Sequence, residues 1–312
     1  MLAGVTVALL QTLFPAAVEE VTLKGAQQRE SALLAGKATS SDLAAGVALG
    51  RSIATLLLAR ASTDGTSNAI GNGTLWAALA DSARARGETP WVSLETPARP
   101  PMLPNFGFVQ AWSLTSADFA SVRPPAPFLT AFSQMKAEVA QVRSTVDGLT
   151  REQRAIAQKW NDGAGTDTPP GHWNDIAAEL IRDARYSEVR AARAFALLNM
   201  SMHDASVACW EAKYRYFDPR PSQLDPAIRT GIGLPNFPAY PSGHSAFSAA
   251  ASDVLGYLFP DAAAQVRAMA DEAGMSRLYG GIHYLNDIKE GKAHGDRVAA
   301  FTLSRARADR AP

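Results

Sequence analysis

A single cysteine, Cys209, in 312 residues has no partner for an internal disulfide and forms no thiolate set for zinc. Charge of either sign in excess is also lacking. With 30 Lys and Arg against 30 Asp and Glu, no long-range field draws the chain to nucleic acid or an anionic membrane. Any anion chemistry must come from local clustering. The N-terminal MLAGVTVALLQTLFPAAVEE is apolar but lacks the basic region and small-residue cleavage site of a secretory signal, so it reads as mature structure. The longest apolar runs, Ile53 to Ala59 and Ala246 to Phe259, are too short or too Ser-interrupted for the roughly 20 residues of a bilayer span. A soluble chain without a membrane span is expected, and its compartment is left open. What is abundant is apolar substance: 47% hydrophobic residues over this length allow a real core of about two domains and exclude intrinsic disorder.

Apolar residues recur at three and four positions in Val18 to Leu34, Phe128 to Leu149, Ile176 to Trp210 and Ala246 to Leu258, which predicts an all-α fold. Two breaks interrupt it. ETPARPPMLPNFG lies within the Pro-rich stretch from Gly87 to Val122, a long ordered loop or linker, and NDGAGTDTPPGHW, Asn161 to Trp173, leads into a new helix. Shifting the chain by 245 positions lays Leu13-Phe14-Pro15 on Leu258-Phe259-Pro260 and Asp42, Gly46, Gly50 on Asp287, Gly291, Gly295. Glycine at every fourth position makes a flat stripe for close helix packing, and a shared Phe-Pro pair is not compositional. We therefore expect three regions: residues 1–65 as a remnant of an inactive repeat matching 246–310, residues 66–125 as a Pro-rich connection, and residues 126–312 as a catalytic helical bundle. Arg277 and His283 fall opposite Ala32 and Ala38, so the N-terminal copy has lost the chemistry. The part of that copy which would match Lys213 to His244 is absent, which suggests a fragment, a late start or cover by another subunit, hence homo-oligomerisation.

Polar residues concentrate in the C-terminal half. Lys213 lies near an expected helix end, seven residues before Arg220, and the prolines at 219 and 221 turn the chain back. In Phe237-Pro-Ala-Tyr-Pro241-Ser242-Gly243-His244, Ser242 is an N-cap candidate, Gly243 allows close approach, and the helix N-terminus offers free N–H groups. Ser276-Arg277 is followed by His283. Three cations, a hydroxyl, a helix N-terminus and two histidines suit a tetrahedral oxyanion. One histidine can bond to the central atom while the other exchanges a proton.

With K-x6-R-P, P-S-G-H and S-R-x5-H complete, the sequence resembles the type 2 phosphatidic acid phosphatase and vanadium haloperoxidase superfamily from about Trp160 to Ala300. The resemblance implies a helical bundle with the site between helices. It makes His283 the single vanadium ligand or the phosphatase nucleophile and His244 the acid–base, with Lys213, Arg220, Ser242, Gly243 and Arg277 holding oxygens. Asp287, one turn beyond His283, is a candidate to orient it, as well as a helix cap. The octet ending in His244 looks like the chloroperoxidase branch, in which Phe237 and Trp210, three before Lys213, border the halide. The implied cofactor is vanadate, with phosphate as its isostere and no haem, flavin or nucleotide. The implied partners are hydrogen peroxide, a halide and an organic acceptor, or else a phosphomonoester. Relatives are often exported. Two alternatives stay open: a soluble phosphatase using the same site, and a truncated scaffold that binds oxyanion without turnover. His172, Trp173, His203 and Asp204 are candidates for the pocket rim, with ordinary packing the simpler account.

Overall fold

The computed structural model describes residues 1–309; residues 310–312, the end of the expected bundle and of the repeat match, lie outside the described residues. The chain is α-helical, with no strand among the described residues, and divides into two compact units that meet at Ser67 and Asn68.

The first unit holds α1 (Leu2–Leu13), α2 (Val18–Leu34) and α3 (Ser40–Ala61), with a 3-10 turn at Pro15–Ala17. Pro15 opens that turn, Gly36 at φ 64 leaves α2, and Thr39 with Asp42 forms a reciprocal capping box at the start of α3. A Cβ on Gly50 would sit 2.5 Å from the Met1 carbonyl and 2.8 Å from the Val5 nitrogen, so glycine is what lets α1 lie on α3. Much of the apolar surface is left bare, including Leu13, Phe14, Leu34 and Leu56. The expectation of no membrane span meets one exception here. The segment Ser40–Asn68 is long and apolar enough, by length and composition, to cross a bilayer.

The second unit begins with α4 (Gly73–Ala85) and α5 (Phe119–Val122). It continues through α6 (Ser133–Asp147), α7 (Arg151–Lys159), α8 (Thr168–Asp183), α9 (Glu188–Tyr216) and α10 (Pro221–Leu224) to α11 (Gly243–Leu258), α12 (Ala263–Tyr279) and α13 (Leu285–Ala308). The periodic run from Ile176 to Trp210 is not continuous, because Arg185 takes φ 51 and Ser187 caps a new helix through Arg190 N–H. The 29-residue α9 is the axis against which α8, α11 and α13 pack. Its two sides anchor two apolar clusters, one around Trp210, Phe247 and Val298 and another around Trp173, Leu198 and Leu255.

The Pro-rich stretch is an ordered strap of this unit. Gly107 presses on the Glu211 backbone, where a Cβ would meet it at 2.5 Å. Trp91 N–H donates to the Phe217 carbonyl and Met102 N–H to the Asn236 carbonyl, each at 2.9 Å. Arg123 grips Glu211 in fork geometry at 2.8 Å. Proline removes donors from the strap, so its remaining N–H groups and the side chains of α9 carry the tethering.

Candidate functional site

The helix α9 stops just beyond Lys213 because Phe217 takes the left-handed conformation, φ 58 and ψ 40, and Pro219 and Pro221 forbid continuation. A cation in that last turn complements the carbonyl end of the helix dipole. Beyond the turn, Arg220 comes back into the core. Lys213 Nζ and Arg220 Cζ each lie 5.1 Å from the centroid of one ring, Phe237, which fixes their convergence.

Their donors are used differently. Lys213 Nζ donates to the carbonyls of Pro238, Ala239 and Pro241 at 2.9, 2.8 and 2.6 Å, so all three of its protons hold the loop leading to α11. The expected direct hold on an oxyanion would require one of these bonds to be exchanged. Arg220 donates through Nε to the Phe237 carbonyl at 3.0 Å, and through Nη1 to the Ile282 carbonyl at 2.8 Å and to His283 Nε2 at 2.9 Å. Its Nη2 is buried without a partner. A guanidinium does not leave donors in a core without cost unless a ligand completes them.

His283 follows the positive-φ turn at Gly281. Its Nδ1 is 2.7 Å from Asp287 Oδ2, and that carboxylate also accepts the Tyr284 N–H at 3.2 Å. Asp287 thus makes both the ring contact and the helix-start contact. With Nδ1–H donated, the Nε2 lone pair accepts from Arg220 Nη1, a bond that any ligand taken at Nε2 would have to displace. Arg277, in the last turn of α12, donates to Ser276 Oγ at 2.9 Å and to the Trp160 carbonyl.

At the start of α11, Ser242 Oγ accepts from Ser245 N–H at 3.3 Å, while Ser242 N–H donates to the Asp287 carbonyl at 3.0 Å. The first-turn N–H groups of Gly243 and His244 have no acceptor within the helix. A Cβ on Gly243 would make ordinary contact with Phe247 and Trp210, so the protein itself does not demand glycine there. By contrast, a Cβ on Gly291 would lie 2.6 Å from the Ser242 carbonyl. That glycine lets α13 press Asp287 against the start of α11. Trp210 and Phe237 are neighbours, with centroids 4.9 Å apart, and Phe247 stacks on Trp210 at 6.2 Å, so the two halide-wall candidates do form an apolar side of the site.

Burial sets the electrostatics. It lowers Lys213 to about 7, Arg220 to about 10 and Arg277 to about 10, and it raises Asp287 to about 7 against the pull of Lys213 and Arg220. Burial, then Arg220, Lys213 and Arg277, hold His283 far below its usual range, so the ring is neutral at pH 7. Burial and Arg277 likewise bring His244 to about 4. Three crowded cations depressed by desolvation form a site that a multiply charged anion would relieve. Among the described residues no group of three or more His, Cys, Asp or Glu gathers as a cage for a bare cation. The donor set, with one neutral imidazole, an unpartnered guanidinium nitrogen and helix-start N–H groups, fits an oxyanion.

Two residues that sequence reasoning did not place at the centre join it. Asp162, at φ 44, has Oδ2 at 3.6 Å from His244 Nε2 and Oδ1 at 3.1 Å from His172 Nδ1. The other rim candidates have structural duties. Trp173 Nε1 donates to Ser248 Oγ at 2.9 Å, and Asp204 accepts the N–H groups of Trp112 and Ser113, both at 2.7 Å, with His203 3.3 Å away.

Residues 192–309 match the sequence model of the PAP2 superfamily. A bacterial vanadium-dependent iodoperoxidase structure is 27% identical, with 70% of this chain and 60% of that one covered at a TM-score of 0.62. The holo form of a bacterial vanadium-dependent chloroperoxidase is 14% identical over 98% of this chain and 81% of that one, TM-score 0.69. An apo form of such a chloroperoxidase is 13% identical over 71% and 62%, TM-score 0.57. The chloroperoxidases share the fold; the chain spans about 60% of the length of the iodoperoxidase. No curated protein matches it.

Proposed function

Because this chain belongs to the superfamily of PAP2 phosphatases and vanadium haloperoxidases, we propose that its oxyanion site binds vanadate and oxidises halide with hydrogen peroxide to hypohalous acid. One observation carries the proposal. A neutral His283, its Nε2 lone pair fixed by Asp287, stands beside the unpartnered Nη2 of Arg220 and the aromatic wall of Trp210 and Phe237. A simple anion pocket would not call for that wall, and a weakly hydrated halide would.

Bound vanadate would act as a Lewis acid that activates hydrogen peroxide at neutral pH. The protein's own part is to hold and to protonate. His283 Nε2 would take the central atom, and Arg220, Arg277, Ser242 and the N–H groups of Gly243 and His244 would hold the oxygens. Lys213 would keep the 238–241 loop in place and add charge. Trp210, Phe237 and Phe247 would exclude water beside the incoming halide. His244 would exchange the proton that the net reaction requires, since hydrogen peroxide, halide and one proton give hypohalous acid and water. Iodide is the first halide to try, given the 27% identity to an iodoperoxidase.

The same His283 lone pair supports a second reading. It could attack a phosphomonoester, forming the N–P bond as His244 protonates the departing alcohol, after which water, deprotonated by His244, releases phosphate and frees the ring. Purified protein with and without orthovanadate, assayed for iodide and bromide oxidation in peroxide and for p-nitrophenyl phosphate cleavage, separates the readings. Vanadate-dependent halide oxidation is expected. Cleavage that vanadate only inhibits would establish the phosphatase instead, and tight oxyanion binding with neither activity the inactive scaffold.

A further inference from the structure

His244 Nε2 is sealed from water and has no hydrogen-bond partner. The group facing it is Asp162, at ion-pair distance, 3.6 Å. Asp162 is itself mostly enclosed, with its side chain 9% exposed, and its other oxygen meets Nδ1 of His172 at 3.1 Å. His172, 23% exposed, is the most open of the three, against 9% for Asp162 and 16% for His244, whose Nε2 is nevertheless sealed. Its ring lies flat on Trp160, centroids 4.3 Å apart and planes at 22°, and the Trp160 edge is fixed by Nε1–H donation to Glu272 at 2.8 Å. The Trp160 plane and the Asp162 carboxylate, ten residues earlier in the sequence, thus hold His172 one carboxylate away from the acid–base of the site.

We propose that His172 and Asp162 are a proton relay between water and His244. The proposal rests on the haloperoxidase reading, whose net reaction consumes one proton per turnover. On the inward pass, hydronium in the solvent protonates His172 Nε2 and the Nδ1 proton of that ring moves to Asp162 Oδ2, 3.4 Å away and the oxygen that faces His244. The carboxyl then gives a proton to His244 Nε2, whose Nδ1 proton enters the site. Where hydrogen peroxide gives up a proton to Nδ1, the same path runs outward. One inward pass in each turnover is left unmatched and supplies the proton consumed, after which the two rings regain their starting tautomers by reorientation. The 3.6 Å step must tighten for transfer, as catalytic hydrogen bonds commonly do on ligand binding. Charges around the path are set by Arg277, which acts on both Asp162 and His244, and by His283, which faces His244. Burial alone would raise Asp162, but His244 and then His172 outweigh it, so the carboxylate stays ionised and ready to accept.

The test uses Asp162→Asn, which keeps a residue tolerant of positive φ, and His172→Phe, which keeps the stack on Trp160. In vanadate-free protein, proton–nitrogen NMR should show a slowly exchanging His172 Nδ1–H held by Asp162, and D162N should lose that signal or speed its exchange about tenfold. With orthovanadate and iodide, H172F should lose about tenfold or more in kcat with unchanged halide KM, and imidazole buffer should restore most of the loss. A His172 Nδ1–H signal that D162N leaves unchanged, or H172F turnover that is full and independent of buffer, overturns the relay. Absence of halide oxidation in the wild type would instead remove the haloperoxidase reading, leaving the NMR result to decide whether the pair exists.

Discussion

Helices α1 to α3 and α11 to α13 follow one frame and lead opposite lives. Shifted by 245 positions, Pro15–Ala17 lands on Pro260–Ala262, and α2, Val18–Leu34, on α12, Ala263–Tyr279. Phe14 and Phe259 end their helices at nearly the same angles, φ -129 and ψ 72 against φ -130 and ψ 74. Gly36 and Gly281 both take positive φ, and Asp42 and Asp287 both accept the N–H that opens the third helix. Yet Phe14 is 56% exposed where Phe259 is 8%, and Leu33 43% where Leu278 is 3%. Local signals such as Pro, Gly and a capping carboxylate are enough to draw the path. Burial needs α8 and α9, which only the second set has packed against it within its own unit. The caps, turns and glycines recur in the same order in the two sets, which neither composition nor helix geometry requires.

The sharpest way to break the comparison is at the positions where the chemistry differs. Arg277→Ala and His283→Ala should each lower turnover by about 10² to 10³, the usual loss for a positioned donor or ligand in such a site. The reciprocal Ala32→Arg and Ala38→His should create no oxyanion affinity, read by calorimetry with sulfate, because nothing in the first unit supplies the other donors. Binding created by these two changes would mean that the N-terminal set keeps a hidden site.

Next in size is the effect of cover. Leu278→Ala should cost about 2 to 4 kcal/mol by leaving a cavity, whereas Leu33→Ala, half exposed at the matching position, should stay within about 0.5 kcal/mol. Denaturation in urea, followed separately for each unit by hydrogen exchange, would measure both. Equal costs would mean that Leu33 is covered in solution, as an oligomer would cover it.

A third contrast is electrostatic. Burial has brought Lys213 to about 7, so its charge is present below that pH and is lost above it. Sulfate keeps its charge over this range, and its affinity should fall about tenfold from pH 6 to pH 9, one fewer close cation being worth about 1.4 kcal/mol per tenfold. Lys213→Met should remove the ammonium's share of the profile and leave the share of Asp287, which loses its proton over the same range. An affinity independent of pH in the wild type would show that the three loop carbonyls, with Asp287, hold the ammonium charged throughout.

Most of the site could be read from spacing, because Lys213 to Pro221, Pro241 to His244 and Ser276 to His283 are each local strings whose helix ends follow from Pro, Ser and Gly. The helices could be read from periodicity, although the break at Arg185 could not, since an arginine at positive φ carries no turn signature. Neither could the use of Lys213 protons on three loop carbonyls, which depends on how the chain returns from Pro238 to Pro241. Asp162 was visible only as part of a turn-rich break. Its meeting with His244 joins a loop to a helix start more than eighty positions later, and no periodicity spans that distance. The membrane-length apolar segment beginning with α3 is not legible as one run, because its Gly and Ser residues divide it into short stretches although the segment as a whole is apolar.

The smallest effect tests what the shared frame is for. Asp42 binds Thr39 N–H at 2.9 Å, and Thr39 Oγ1 accepts the Asp42 N–H at 3.2 Å, so the carboxylate there has only a cap to serve. The matching Asp287 serves a cap and His283 together. Thr39→Ala should therefore weaken the start of α3 by about 1 kcal/mol, seen as faster hydrogen exchange over residues 40–43, and leave sulfate binding unchanged. Asp287→Asn should loosen the start of α13 and also weaken sulfate binding, because the His283 ring loses the acceptor that fixes its tautomer. If Asp287→Asn disturbed only the helix start, the carboxylate would be a cap in both halves, and the orientation of His283 would have to come from Arg220 alone.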